Sequence, residues 1–293
     1  MSDVRLEVRH QTRYDYSARV DVAHHIAFLL PRAGAEQAVV QAEVAIEPVP
    51  SQRSLSVDSF GNARLFFSLT APHERLLVHA RSVVELAARP PVDPDRSAPW
   101  HLVRRQLRYA ARRGFDPAAE FTFASPFVPR DPELARYAAP SFGDETTVAC
   151  GALELMTRIH RDFRYEPAST EVSTPVMEAF QLRHGVCQDF AHVMIGALRS
   201  IGLAARYVSG YLVTRPVPGA APLVGADASH AWVSVYCPQL GWIDLDPTND
   251  LVVDQRHVTL AIGRDYGDVT PLRGVIRGGG AHTLNVGVSV VPR

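Results

Sequence analysis

Cys187 is the residue on which covalent chemistry in this chain would turn. It stands within "RHGVCQDFAHVMIGALRSIG", residues 183–202, directly after Gly185-Val186 and directly before a helical apolar pattern. A thiolate is the nucleophilic form of cysteine, and the unpaired N–H groups at a helix N-terminus stabilise it. The same groups can hold the oxyanion of a tetrahedral intermediate. A lone cysteine is otherwise a small buried hydrophobe, so position alone does not make it reactive. Two distant residues bear on the choice. His230 opens the strand-like "HAWVSVY", from which a ring nitrogen can face Cys187 and take its proton. Asp246 closes "GWIDLD", just before Pro247. An antiparallel pairing of these two strands sets the start of one beside the end of the next, where a carboxylate fixes the imidazole's tautomer and steadies its charge.

Other polar residues compete for these roles. Asp244 lies on the same strand face as Asp246 and is the alternative orienting acid. Asp189 and Asp227 read as a helix cap and a loop hydrogen-bonding group. Trp232 and Trp242 flank the candidate residues and read as core. His184 and His192, with Cys187 and His230, raise a zinc reading. No second Cys or His follows at short ligand spacing, and His192 points away from Cys187 on a helix, so no metal or other cofactor is expected.

The elements that must position these residues fall into two regions. Val4, Leu6, Val8, His10, Thr12, Tyr14 and Tyr16 alternate with mostly charged neighbours, and Val40, Ala42, Val44 and Ile46 repeat the pattern. "DSFGN", residues 58–62, supplies a turn between further β-rich runs, so residues 1–90 predict an antiparallel β-sandwich-like domain. Four prolines in "RPPVDPDRSAP" mark a linker over residues 91–100. Residues 101–293 then predict an α+β core. Helices are expected at 100–113 and 132–139, and one behind a Thr cap carries Val148, Ala152, Met156, Ile159 and Phe163 on one stripe. Thr174-Pro175 opens a short helix ending at His184-Gly185. In the cysteine helix Phe190, Val193, Met194, Ala197, Leu198 and Ile201 recur at three-four spacing, predicting one buried face, with Gly202 as the stop. The strands "ARYVSGYLV", "HAWVSVYC" and "GWIDLD" follow, predicting an antiparallel sheet against that helix. A β-rich extension with Gly-rich turns completes the core.

The chain has 293 residues, 46% hydrophobic and 21% charged, with a formal net charge of -1. That balance lacks the basic surface that nucleic acid or an anionic membrane demands, and the cluster Arg104, Arg105, Arg108, Arg112 and Arg113 reads as a solvated helix face. No apolar run reaches spanning length, and "MSDVRLEVRH" has no apolar leader core, which points to the cytoplasm. Cys150, Cys187 and Cys237 form no disulfide framework.

"GVCQDFAHVMIGALRSIGLAARYVSGYL" and "DASHAWVSVYCPQLGWIDLDPTN" together resemble the core of bacterial transglutaminase-like proteins, relatives in architecture of papain-type cysteine proteases. The resemblance is dense over residues 145–252, and "HQTRYDYSARV", "LLPR", "DSFGN" and "GRDYGDVTPLRGV" extend it on either side. It implies Cys187 as nucleophile, His230 as general base and acid, and Asp246, immediately before Pro-Thr, as orienting carboxylate. Gln181 sits six residues before the cysteine, as the second oxyanion donor of papain-type enzymes does. The implied activity is acyl transfer on a peptide or protein amide through a thioester, to water or to an amine. The alternatives are a binding module on the same fold and a metal-binding regulator. Neither calcium dependence nor crosslinking is implied. The β-rich region is expected to present substrate or support self-association, and the stretches 114–131 and 215–228 to border the cleft.

Overall fold

The computed structural model describes residues 3–111, 114–167, 169–170, 172–214 and 229–293. Its organising strand is β1 (Val4–Ala27), 24 residues long. After it come β2 (Gln37–Glu47), β3 (Gln52–Val57), β4 (Ala63–Leu69) and β5 (His73–Leu86), giving the antiparallel order β2-β5-β1-β4-β3. The first half of β1 pairs with β5, through Val4 opposite Leu86 and Asp15 opposite Arg75. Its second half pairs with β4, through Ala23 opposite Leu69. The register shifts between Asp15 and Val20, so one strand serves two sets of neighbours.

The second region contains α1 (Trp100–Leu107), α2 (Pro132–Ala138) and α3 (Val148–Asp162), then β6 (Arg164–Tyr165), α4 (Val176–Leu182), β7 (His184–Gly185) and α5 (Cys187–Ser200). Strands β8 (Ala205–Leu212), β9 (His230–Cys237), β10 (Gly241–Asp246), β11 (Leu251–Val252) and β12 (His257–Gly263) make an antiparallel sheet in the order β11-β10-β9-β8-β12. A short α6 (Tyr266–Val269) leads to β13 (Leu272–Gly278) and β14 (His282–Pro292). These last two strands, grouped with the core in the sequence reading, hydrogen-bond to β1. Alternation alone identifies a strand but not its partner, which is why their sheet was not legible. The architecture is α+β, with an antiparallel N-terminal sheet followed by a helix packed on a second antiparallel sheet.

Helix α1 stops at Leu107, short of the expected residue 113, because Val103 and Leu107 are its only buried residues and Tyr109 beyond them is 91% exposed. Helix α3 begins behind Thr147, whose hydroxyl accepts from Cys150 N–H at 3.3 Å. Helix α4 ends at Leu182, before Gly185. Arg183 takes the left-handed turn at φ 58°, with its guanidinium over Phe180, Tyr137 and Phe163 at 4.2 to 4.9 Å.

Helix α5 differs from the expected amphipathic helix, since every residue from Gln188 to Arg199 is buried. It lies between the sheet, contacting β8 and β9, and helices α2, α3 and α4. Its far end is anchored by Arg199, 0% exposed, which donates to the carbonyls of Phe121, Ala205 and Arg264 at 2.6 to 3.0 Å and to Ser125 Oγ at 3.0 Å. Burial pulls this guanidinium down to about 10, a value at which it still carries its charge at neutral pH. Thus part of the stretch 114–131 secures the end of α5 distant from Cys187.

The two sheets are joined through the outer strand β12. Gln37 donates its amide to Thr259 O and accepts from Thr259 N, both at 2.8 Å. Asn62, 0% exposed, treats Ile262 likewise at 2.7 and 2.8 Å. Asp58 holds Asn62 by accepting from its backbone N–H at 2.8 Å and its amide at 2.9 Å. The "DSFGN" turn therefore closes an otherwise open sheet edge with side-chain amides. Among the described residues no helix is long and apolar enough to cross a membrane.

Candidate functional site

The segment entering α5 is tightly held. Strand β6 pairs parallel with β7, Tyr165 opposite Gly185, and Glu166 N–H donates to Gly185 O at 2.9 Å. Asp189, in the first turn of α5, accepts from Val186 N–H at 2.8 Å and from Thr170 Oγ1 at 2.6 Å. That cap needs glycine at 185, because a Cβ there would run into the Asp189 carboxylate. Burial raises the Asp189 carboxyl, opposed by the Thr170 hydroxyl and Val186 N–H. The capping reading of Asp189 agrees with this geometry. Asp227 lies outside the described residues.

Cys187 is the first residue of α5 and is half-buried, with its thiol 4.0 Å from Ser229 O. The adjoining His230 starts β9. Antiparallel pairing of β9 with β10, Val233 opposite Leu245, brings the start of β9 to the end of β10. There His230 Nε2 lies 2.8 Å from Asp246 Oδ2, with both side chains 0% exposed. With Nε2 donating to the carboxylate, Nδ1 remains for Cys187. Nδ1 makes no hydrogen bond of ordinary geometry among the described residues, and Cys187 acts on the ring both through its charge and through a looser side-chain hydrogen-bonding contact.

Burial opposes a charged imidazole, but Asp246 and Cys187 outweigh it and push His230 up to about 10. Burial likewise opposes the Asp246 carboxylate, yet the His230 charge and the hydrogen bonds from His230 and His257 hold it well below the usual carboxylate range. Asp246 Oδ1 accepts from the backbone N–H of Thr248 at 3.0 Å and of Asn249 at 3.3 Å. Oδ2 accepts from the Asn249 amide at 2.7 Å and faces His257 Nε2 at 3.3 Å. The result is a fully buried His–Asp pair whose imidazole is favoured in its charged form by Asp246 and Cys187.

The competing candidates lie elsewhere. Asp244 Oδ2 accepts from Arg89 at 2.9 Å. Gln181 is on the exposed surface of α4, because the helix preceding Cys187 turns it outward. His184 Nδ1 is 3.8 Å from Glu166. His192 accepts from Tyr266 N–H at 3.2 Å, and burial pulls it down to about 4, leaving it neutral. Among the described residues no three His, Cys, Asp or Glu side chains form a group that could hold a metal ion. Trp242 packs against Phe121 and Tyr236 under the Arg206 guanidinium, which is 3.9 Å from its ring centre. Trp232 is 0% exposed and lies over Gly210, where a Cβ would clash with its ring and with Val258 O. Residues 215–228, expected at the cleft, lie outside the described residues, as do Arg112 and Arg113.

Sequence reasoning missed three neighbours. Asn249 had a local signal, since an Asp followed by Pro-Thr-Asn favours an Asx-type turn. His257 had none, being eleven residues from Asp246. Tyr207, 2% exposed, has its hydroxyl pushed well above the ordinary range by burial and by the charge of Cys187, so it stays protonated.

A helix-tip cysteine with a strand-borne His–Asp pair on an antiparallel sheet defines the class, and the comparisons agree. Residues 135–247, which include all three side chains, match the model of the transglutaminase-like superfamily, and residues 6–85 match that of the bacterial transglutaminase-like N-terminal region. The chain belongs to the transglutaminase-like superfamily, a family of cysteine-type enzymes. An uncharacterized protein of Mycobacterium tuberculosis is 40% identical over 98% of this chain and 93% of its own length. The protein-glutamine gamma-glutamyltransferase of Pseudomonas aeruginosa is 33% identical over 102 residues, covering 32% of this chain and 15% of that protein. The structure of "a Putative Cysteine Protease from Cytophaga hutchinsonii" has a TM-score of 0.76 at 21% identity, over 100% of this chain and 91% of that one. It has the same fold.

Proposed function

We propose that the protein is a cysteine-dependent acyl-transfer enzyme acting on a peptide or protein amide. The reading is carried by the buried His230–Asp246 pair beside Cys187 at the tip of α5. Desolvating two charges is costly, and such perturbed groups cluster where a protein does chemistry.

In this mechanism Cys187 Sγ attacks the amide carbonyl carbon as a thiolate. The carbonyl π electrons move to oxygen, and the unpaired N–H groups at the start of α5 stabilise that charge. On collapse the C–N bond breaks, and His230 Nδ1 gives its proton to the departing ammonia or amine. A thioester remains on Cys187. Water or a substrate amine then attacks it, His230 takes the incoming proton, and the thiolate leaves. Asp246 keeps the Nε2–H toward itself throughout, so that Nδ1 always faces the sulfur. The second nucleophile decides between hydrolysis and transamidation.

The test is mass spectrometry of the intact protein during incubation with glutamine-containing and isopeptide-linked peptides, read together with released ammonia and cleaved peptide. An acyl adduct on the Cys187 peptide, absent from Cys187→Ala and from His230→Ala, is the expected result. If Cys187 reacts with acylating probes no faster than Cys150, and His230→Ala changes nothing, the fold serves binding and not turnover.

A further inference from the structure

We propose that His257 is a positioning residue of the site, holding the Asp246 carboxylate through its Nε2–H while Asp254 fixes its ring from the other side. The inference rests on the reading of Cys187, His230 and Asp246 as a catalytic triad. His257 is the first residue of β12, with its side chain 0% exposed. Its Nε2 is 3.3 Å from Asp246 Oδ2. Its Nδ1 is 3.3 Å from Asp254 Oδ1 and 3.4 Å from Asp254 N.

These contacts determine the direction of the Nε2 bond in either protonation state. In the neutral ring Nδ1 accepts from Asp254 N–H, so Nε2 carries the hydrogen. In the cation Nδ1–H donates to Asp254 Oδ1, and Nε2 still carries one. A carboxylate accepts and never donates, so His257 donates to Asp246 in both cases. The ring itself is wedged by Trp232, edge-on with centres 5.4 Å apart, and Gly210 leaves the space for that indole. Strand β12 is in turn held by Gln37 and Asn62. The N-terminal sheet is thereby connected through β12 and His257 to the carboxylate behind His230.

Asp246 Oδ2 has His230, Asn249 and His257 around it. Removing the His257 donor frees one side of the oxygen and lets the carboxylate rotate away from the Nε2 of His230. The cationic imidazole then loses part of its support, and the sulfur loses the charge that favours its thiolate. The titratable or charged groups around His257 are Asp246 on β10, His230 on β9 with ring centres 6.4 Å apart, and Asp254 with its partner Arg256 on its own connection. From β8 it faces Leu212, which is uncharged.

The experiment measures alkylation of Cys187 by iodoacetamide against pH in the full chain, following the Cys187 peptide by mass spectrometry with Cys150 as the internal reference. An asparagine at 257 places its amide near Nδ1 and misses Asp246; a glutamine places its amide nitrogen near Nε2 and reaches it. His257→Asn is expected to slow alkylation at neutral pH about tenfold and move its profile toward that of an isolated thiol, the effect of one lost hydrogen bond to a charged group. His257→Gln is expected to stay within about threefold of the parent. A packing role would affect both variants alike, and equal rates for the two overturn the proposal. If the asparagine variant does not fold, His257→Phe replaces it, keeping the ring and removing the Nε2–H: a rate lowered about tenfold supports the proposal, and an unchanged rate overturns it. A parent Cys187 that titrates as Cys150 does overturns the triad and this inference together; a reactive Cys187 with indistinguishable Asn and Gln variants overturns only this one.

Discussion

His230 and Asp246 are sixteen residues apart in the chain, and their side chains meet at 2.8 Å with no exposure to solvent. The pair makes stability depend on pH in two directions. His230 is raised from 6.5 to about 10, so the stability it contributes is complete below about 6.5 and is lost as pH climbs toward 10. Asp246 is lowered, so its contribution is present above its ordinary 3.8 and is lost in acid as the carboxyl takes a proton. Thermal unfolding measured across pH should show a plateau from mildly acid to neutral pH with losses on both sides. In Asp246→Asn the alkaline loss should shrink, because His230 no longer has a charge to hold its proton. An alkaline limb of equal size in the variant would disprove this coupling.

Cys187→Ala separates chemistry from architecture. The sulfur is half-buried and its contacts with the fold are slight, so stability should change by less than about 1 kcal/mol. Acyl-adduct formation should vanish altogether. Denaturant unfolding alongside the adduct assay reads both quantities, and a variant that turns over substrate with an intact midpoint would remove Cys187 from the mechanism.

What the sequence made legible was periodic or local. The alternation around His230 and Asp246 gave two strands, their turn-like connection implied an antiparallel pair, and that pairing places the two residues together. The Thr147 cap, the Asp189 cap and the Gly202 stop followed from residue type. Long-range partners were not legible. Nothing local tells His257 to face Asp246, or β13 and β14 to leave the core for β1. The all-round burial of α5 also escaped, since Gln188, Asp189, His192 and Arg199 look like a polar face until their hydrogen bonds are known.

Arg199 is the clearest of those hidden anchors. Its guanidinium serves the carbonyls of Phe121, Ala205 and Arg264 at once, in a place water does not reach. Arg199→Met retains much of the volume and strands all three acceptors. The expected loss is about 3–5 kcal/mol, the scale for breaking a buried charged network from one side. Equilibrium urea unfolding measures it, and a loss below about 1 kcal/mol would mean that the carbonyls find other donors.

Asn62 offers a test of how the N-terminal sheet supports the core. Its amide both donates to and accepts from the backbone of Ile262, and Asp58 fixes its orientation. Asn62→Ala leaves one N–H and one C=O of β12 buried without those partners, with an expected cost of about 2–4 kcal/mol. The loss should be local before it is global: hydrogen exchange at the Ile262 amide should quicken by more than that at Val233 in the middle of the sheet, because β12 is an outer strand and β9 is not. Uniform acceleration across β8, β9 and β12 would instead mean that the amide supports the whole core evenly. A confined acceleration identifies the outer strand, which begins at His257, as the part of the second sheet that the N-terminal region holds in place.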